Sequence, residues 1–310
     1  MRAVELDATD AAIVRELQTD GRLAFETLAG RVGLSRAATR LRVQRLLGSG
    51  ALQVIGIVHP AVRSIRAVAH LFIDVFSDAA PVAGAVAALP HIAPVSLTAG
   101  RFPLVAEVRG RGLPDLTEAV ERVRALPGVR DVDTAVCTHV LKDPHLPAQD
   151  PRAVDVDPLD ERLMRLLEKD GRTSFADLAG AVGLSAGAVR SRVLRLINAS
   201  AIRVTAVVDP AALGFGRIGG FALRLEEESG DALNEVTSWE RIHHLTRCLG
   251  RVDAIGTVAA ESTSDLYSVY ERLRALPGIR VVETWVHVET VKERYAPAPP
   301  EAGRLAVAGR

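Results

Sequence analysis

The chain has 310 residues, enough for roughly two to four domains with cores of their own, and its 38 lysines and arginines balance 38 aspartates and glutamates. A neutral total neither selects nor excludes a nucleic-acid partner, so only local clustering of charge decides. The opening MRAVELDATD lacks the apolar core of a leader, and the most apolar stretch, Ala79 to Leu97, is broken by Pro81, Pro90 and Pro94, so the expectation is a cytoplasmic protein without a membrane segment.

Asp7-Ala8-Thr9-Asp10 opens a helical pattern whose Ile13, Val14 and Leu17 share one stripe and which ends at Gly21. A second short helix is expected over Phe25 to Val32, with Leu28 and Val32 inward and Ala29 small enough for close approach. Gly33 then supplies a tight turn and Ser35 N-caps a third helix reaching Leu47. Helix, short helix, glycine turn and capped helix make a helix-turn-helix.

On the third helix Thr39, Val43 and Leu46 form a core stripe, while Arg36, Arg40, Gln44 and Arg45 lie opposite and Arg42 borders the stripe. Between Arg31 and Leu47 there are five arginines and no acid. Arginine suits both tasks of a DNA-reading helix, paired hydrogen bonds to guanine edges and attraction to phosphates. Ser35, Arg36, Arg40, Arg42, Gln44 and Arg45 are therefore the candidate DNA contacts, and double-stranded DNA the expected partner.

Leu52 to Pro60 reads as a strand leaving this head. After it come a strand over Arg66 to Phe76, a helix over Ala79 to Leu89, strands over His91 to Ala99 and Phe102 to Val108, a helix over Leu113 to Leu126, and a strand over Val129 to Val140. The order βαββαβ predicts a ferredoxin-like four-stranded sheet with both helices on one face. Its other face, with Val132, Val136, Val140 or their neighbours, needs a cover, most simply the matching sheet of a second copy.

That second copy is in the same chain. After a proline-rich, polar stretch from Lys142 to Val156, DGRLAFETLAGRVGLS (Asp20 to Ser35) returns as DGRTSFADLAGAVGLS (Asp170 to Ser185), with 11 of 16 positions identical at an offset of 150 residues. ERVRALPGVR returns as ERLRALPGIR, with 8 of 10 identical at the same offset. A period this long is no solenoid, so each half is expected to pack independently. The fold class is α+β: two copies of an N-terminal helix-turn-helix, winged-helix-like domain followed by a ferredoxin-like βαββαβ domain. The boundaries are 1–60 and 61–142 for the first copy, 143–156 for the linker, 157–210 and 211–295 for the second copy, and 296–310 for a disordered tail.

The second reading helix has Val189, Val193 and Leu196 inward, and Ser185, Arg190, Arg192 and Arg195 as candidate DNA contacts. It is the thinner reader, because Ala186 stands where the first has Arg36 and Gly187 costs a helix about 1 kcal/mol relative to alanine. Cys137 and Cys248 are the two cysteines and occupy non-corresponding positions, so reduced structural thiols are expected. The sequence has no paired-cysteine or HExxH zinc spacing, and no metal, no cofactor and no enzymatic activity are expected.

Over about residues 5 to 142 and 155 to 295 the pattern resembles the Lrp/AsnC family of feast/famine regulators. The matching motifs are Leu6-Asp7-Ala8-Thr9-Asp10, Asp20-Gly21-Arg22, Leu28 to Ser35, Arg42 to Leu46, and Leu126-Pro127-Gly128-Val129, with counterparts in the second half. The resemblance implies a DNA-binding head joined to an effector-sensing, oligomer-forming domain, with an amino acid or related small metabolite as effector. It places that ligand near a GxxD loop, here Gly250-Arg251-Val252-Asp253, while the first half has Gly100-Arg101-Phe102-Pro103, whose proline has no carboxylate for an amino group. Gly250, Arg251, Asp253, Gly100 and Arg101 are the candidate effector residues. The resemblance also implies a dimer, which one chain could form internally, so a homo-oligomer of covalent pseudo-dimers is expected.

Two other readings compete. Siroheme decarboxylases share this plan, and a tetrapyrrole enzyme of that kind would use His243, His244, Arg247 and His91. Adjacent strand residues point to opposite faces, however, so His243 and His244 cannot form one site. A metabolite-binding protein without DNA binding would leave the arginine face without a role.

Overall fold

The computed structural model describes residues 6–144, 151–152, 154–208, 212, 214–226 and 231–292. The first half runs α1 (Ala8–Thr19), α2 (Phe25–Val32), α3 (Arg36–Gly48), β1 (Leu52–Val58), β2 (Ala67–Val75), α4 (Ala79–Ala88), β3 (Ile92–Ala99), β4 (Leu104–Gly110), α5 (Leu113–Arg124) and β5 (Val129–Lys142). The second repeats this order as α6 (Pro158–Lys169), α7 (Phe175–Val182), α8 (Ala186–Asn198), β6 (Ile202–Val208), β7 (Arg217–Leu225), α9 (Ala232–Ser238), β8 (Ile242–Gly250), β9 (Ala254–Ala260), α10 (Thr263–Arg274) and β10 (Ile279–Lys292). The expected tail, Pro210, and part of the linker lie outside the described residues.

Local chemistry sets the helix ends. Asp7 and Asp10 form a reciprocal capping box at the start of α1, and Asp157 and Asp160 repeat it on α6. Gly33 and Gly183 end α2 and α7 in the left-handed conformation, with φ of 69° and 74°, where a side chain would be strained. Ile13, Val14 and Leu17 are buried as their spacing requires, and so are Thr39, Val43 and Leu46 on α3.

The halves do not pack independently. β1 and β6 form an antiparallel two-stranded ribbon, with Leu52 opposite Val208 and Val58 opposite Ile202. Through this ribbon each head completes the core of the other. Val204, Ala206 and Val208 pack with Leu17, Leu28 and Leu46 of the first head, and Val58 packs with Leu163, Leu178 and Val193 of the second. A strand buried on a partner's helices hides apolar surface that neither half could cover alone.

The same exchange occurs beyond the heads. Each βαββαβ unit forms a four-stranded sheet, and the two join edge to edge through β5–β8 and β10–β3 into a closed eight-stranded barrel. Closure pairs the edge strands that a single sheet would leave open. The seams are fastened by lysines, with Lys142 Nζ donating to the Thr237 and Trp239 carbonyls and Lys292 Nζ to the Ala87 carbonyl.

The second sheet thus covers the bare face of the first, where the neighbours of the three valines lie rather than the valines themselves. Val132 and Val136 pack on the helix side and Val140 is 48% exposed, whereas Ala135 and Cys137 face inward with Phe72, Phe102, Ile255 and Trp285. The β5 side chains alternate, and the helices claim the valines. Both thiols are free, and Cys137 and Cys248 stand opposite each other across the β5–β8 seam.

Candidate nucleic-acid interface and effector region

Ser35 Oγ accepts the Ala38 N–H at 3.2 Å, and Ser185 does the same for Ala188, so both reading helices start at a side-chain cap. On α3, Arg36, Arg40 and Gln44 are exposed on the side away from the core. Arg36 is 73% exposed, and its approach of 3.9 Å to the equally exposed Glu26 is too loose to hold it.

Arg42 and Arg45 turn back into the protein. The Asp10 side chain is 1% exposed, and a carboxylate that deep needs charge compensation. Arg42 Nη1 donates to Asp10 Oδ1 at 2.9 Å and to Asp7 Oδ2 at 2.6 Å, while Arg45 Nη2 donates to Asp10 Oδ2. The Arg42 hydrogen bond holds the Asp7 carboxyl below its ordinary range and raises the guanidinium in turn. Arg192 and Arg195 make the matching bonds to Asp157 and Asp160. These four arginines therefore fasten the first helix of each head to its reading helix. The second reading face keeps Arg190 beside exposed Ala186 and Gly187.

The candidate effector loops lie at the two seams. A Cβ on Gly100 would sit 2.8 Å from Trp285 Cβ, and one on Gly250 2.8 Å from the Thr134 carbonyl, so each loop presses on the opposite half. Arg251 points into the barrel, pairing with Glu283 at 2.6 Å and Asp133 at 3.1 Å and lying over the Phe102 and Phe72 rings. Asp253 ties its loop to the end of β7, receiving Arg224 Nη1 at 3.1 Å and the Leu225 N–H at 2.8 Å. In the first half Thr98 Oγ1 bonds the Phe102 carbonyl at 2.6 Å, and Arg101 lies over the Phe102 ring.

Inside the barrel is a polar cluster of which the sequence singled out only His244. Arg109 Nε donates to Glu107 at 2.5 Å, His70 lies 4.0 Å from the same carboxylate, and the His70 and His244 ring centroids are 6.1 Å apart. Burial opposes charge on His70, but Cys137 and Glu107 outweigh it and raise its pKa to about 9. Burial likewise opposes charge on Glu107, yet Arg109 and His70 keep it below its usual range. Burial lowers His244. At the pseudo-equivalent place in the second half Gly220 replaces His70, and the Trp285 indole fills the space against it.

The remaining histidine candidates do not gather. His243 packs edge-on against Phe215, away from His244, while His91 sits in a turn with φ of 66° and Arg247 is exposed. Among the described residues no group of three or more histidine, cysteine or acidic side chains could hold a metal ion, and no helix is long and apolar enough to cross a membrane.

Comparison with known proteins matches an AsnC-type helix-turn-helix domain at residues 6–47 and 156–197, and an Lrp/AsnC ligand binding domain at 62–146 and 223–297. A proline dehydrogenase transcriptional activator of Rhizobium radiobacter is 29% identical over 145 residues, which is 45% of this chain and 93% of that protein. A leucine-responsive regulatory protein of Rhizobium meliloti is 28% identical, over 45% of this chain and 94% of its own length. Less than half of this chain thus accounts for nearly the whole of each relative. Over the doubled length, the fold is similar to that of a siroheme decarboxylase solved with an iron-uroporphyrin III analogue, with a TM-score of 0.67, 14% identity, and coverage of 93% of this chain and 94% of that one.

Proposed function

Because the chain belongs to the Lrp/AsnC family of transcriptional regulators, with both family domains present twice, we propose that it reads double-stranded DNA in a sequence-specific way through α3 and α8 and responds to a small metabolite. The observation that carries the reading is the exposed Arg36, Arg40 and Gln44 face on a Ser35-capped helix whose opposite stripe is fully buried. Such a helix offers side chains to a major groove without disturbing its own core. Arg36 and Arg40 act as the principal readers, with Arg190 as a weaker counterpart. Arg42, Arg45, Arg192 and Arg195 chiefly orient the helices, the exposed parts of Arg45 and Arg195 remaining near phosphates. The test is a gel-shift titration against duplexes selected from a random library. Tight, salt-sensitive binding supports the reading, and an equally weak, salt-independent interaction with all duplexes refutes it.

The effector is an amino acid or related metabolite held at the Gly250 to Asp253 loop, at the seam between the halves. An incoming ammonium group would compete with Arg224 for the Asp253 carboxylate. Isothermal titration with candidate amino acids checks this: lost binding in Asp253→Ala supports the site, and unchanged binding refutes it. The regulator works in the cytoplasm, and chains associate further as homo-oligomers of covalent pseudo-dimers.

A second reading, a tetrapyrrole-acting enzyme, is favoured by one observation, the half-buried His70, His244 and His287 inside the barrel. Against it, Trp285, Phe72 and Phe102 fill the same interior. Incubation with siroheme followed by mass spectrometry separates the readings, since a decarboxylase shortens the substrate's carboxylate side chains and a regulator leaves them intact.

A further inference from the structure

The Asp-Gly-Arg turns after α1 and α6 lie directly on the ribbon that joins the heads. The Gly21 N–H donates to the Val204 carbonyl at 2.9 Å, and the Gly171 N–H to the Val54 carbonyl at 2.8 Å. A Cβ on Gly21 would meet Val54 Cγ1 at 2.8 Å and one on Gly171 would meet Val204 Cγ1 at 2.6 Å, so the turns are seated too closely for any side chain.

From this seat each arginine crosses to the other half. Arg22 donates from Nη1 to the Gly171 carbonyl at 2.6 Å and from Nη2 to the Thr173 carbonyl at 3.0 Å, with its guanidinium over the Phe175 ring at 4.5 Å. Arg172 donates to the Gly21 and Leu23 carbonyls at 2.7 and 3.2 Å and lies over Phe25 at 4.8 Å. Phe25 and Phe175 are the first residues of α2 and α7, one glycine turn before the reading helices. Each arginine therefore grips the base of the opposite reading head. Burial lowers both guanidinium pKa values, and the Arg172 charge adds to the effect on Arg22. Asp20 and Asp170, which accept the Arg22 and Arg172 N–H groups, keep negative charge beside them.

We propose that Arg22 and Arg172 form a reciprocal clasp that sets the spacing and angle between α3 and α8, and so selects the separation of half-sites that the protein can read. The inference rests on the reading of α3 and α8 as DNA contacts. Two heads engage both half-sites at once only if their separation matches the helical repeat of DNA, and the gain from joint binding disappears when geometry forbids it. A planar fork bonded to two carbonyls and stacked on a ring fixes direction as well as distance.

The test uses duplexes selected from a random library by the full chain, resynthesised with the half-sites moved apart by about 5 base pairs, half a turn. The wild type is expected to lose about tenfold or more in affinity on the shifted duplex. The Arg22→Met/Arg172→Met variant is expected to bind both spacings within about threefold while keeping wild-type affinity for a single half-site. A variant that retains the wild-type spacing preference overturns the clasp. If the wild type selects no duplex, the DNA reading itself has failed, and the clasp is then judged by pulsed electron paramagnetic resonance between labels on unnatural residues replacing exposed Ala37 and Gly187. A broader distance distribution in the double variant supports it, and an unchanged one overturns it. Should the double variant not fold by circular dichroism, Arg22→Lys, which keeps charge and stem but cannot fork onto two carbonyls, is carried through the same measurements.

Discussion

Replacing His287 by glutamine should remove a defined part of the acid sensitivity of the barrel. His287 Nε2 accepts the Trp285 Nε1–H at 3.2 Å, and burial lowers its pKa from 6.5 to about 4. The folded state thus prefers neutral imidazole, whereas the unfolded chain takes up a proton near pH 6.5. The stabilisation is complete above pH 6.5 and is lost as pH falls through 4. A difference of about 2.5 pKa units corresponds to about 3 kcal/mol in full, of which about 2 to 3 kcal/mol is gone by pH 4.5. A glutamine side chain here would keep an acceptor for Trp285 without titrating. Trp285 lies inside the barrel and Trp239 ends α9 in the core between the helices and the barrel wall, so urea unfolding followed by tryptophan fluorescence reports on this domain. Between pH 7.5 and 4.5 the wild type should lose about 2 to 3 kcal/mol more than His287→Gln. His243 and His244, also lowered by burial, titrate in both proteins and cancel in the difference. Parallel losses in the two proteins would refute the assignment of this proton to His287.

Gly220→Ala should destabilise the barrel by about 1 to 3 kcal/mol in the same urea assay, because its methyl would overlap the Trp285 indole, itself held by Phe72, His287 and Tyr270. Asp10→Asn leaves Arg42 and Arg45 without the buried charge they share and should cost about 1 to 3 kcal/mol, read as an earlier loss of helical circular dichroism. Arg40→Ala should weaken binding to a selected duplex more than Arg190→Ala does, since the second face has already lost Arg36's counterpart to Ala186. Equal losses at one salt concentration would show that the heads contribute alike.

Much of the fold was legible because it is encoded locally. The Asp7 and Ser35 caps, the Gly33 turn, the Thr39, Val43, Leu46 stripe and the βαββαβ order depend on residues a few positions apart. What was illegible joins residues about one repeat apart. The β1–β6 ribbon, the crossed cores and the bonds from Arg22 to Gly171 and Thr173 leave no periodic trace in the chain. The spacing puts Arg45 opposite the core stripe of α3 and Arg42 at its border, but angle alone does not show that Asp7 and Asp10 on α1 reach them. His70 and Glu107 alternate with buried residues on β2 and β4, as solvent-facing polar residues would. Only closure of the barrel turns that face into an interior.

The most direct measurement compares the wild type with Arg36→Ala/Arg40→Ala on a library-selected duplex, across a series of salt concentrations. With two arginines worth about 1 to 3 kcal/mol each, the double variant should bind at least about tenfold more weakly, with a shallower salt dependence and an unchanged melting profile. Equal affinity and equal salt slope in the two proteins would contradict the assignment of α3 as the reading helix.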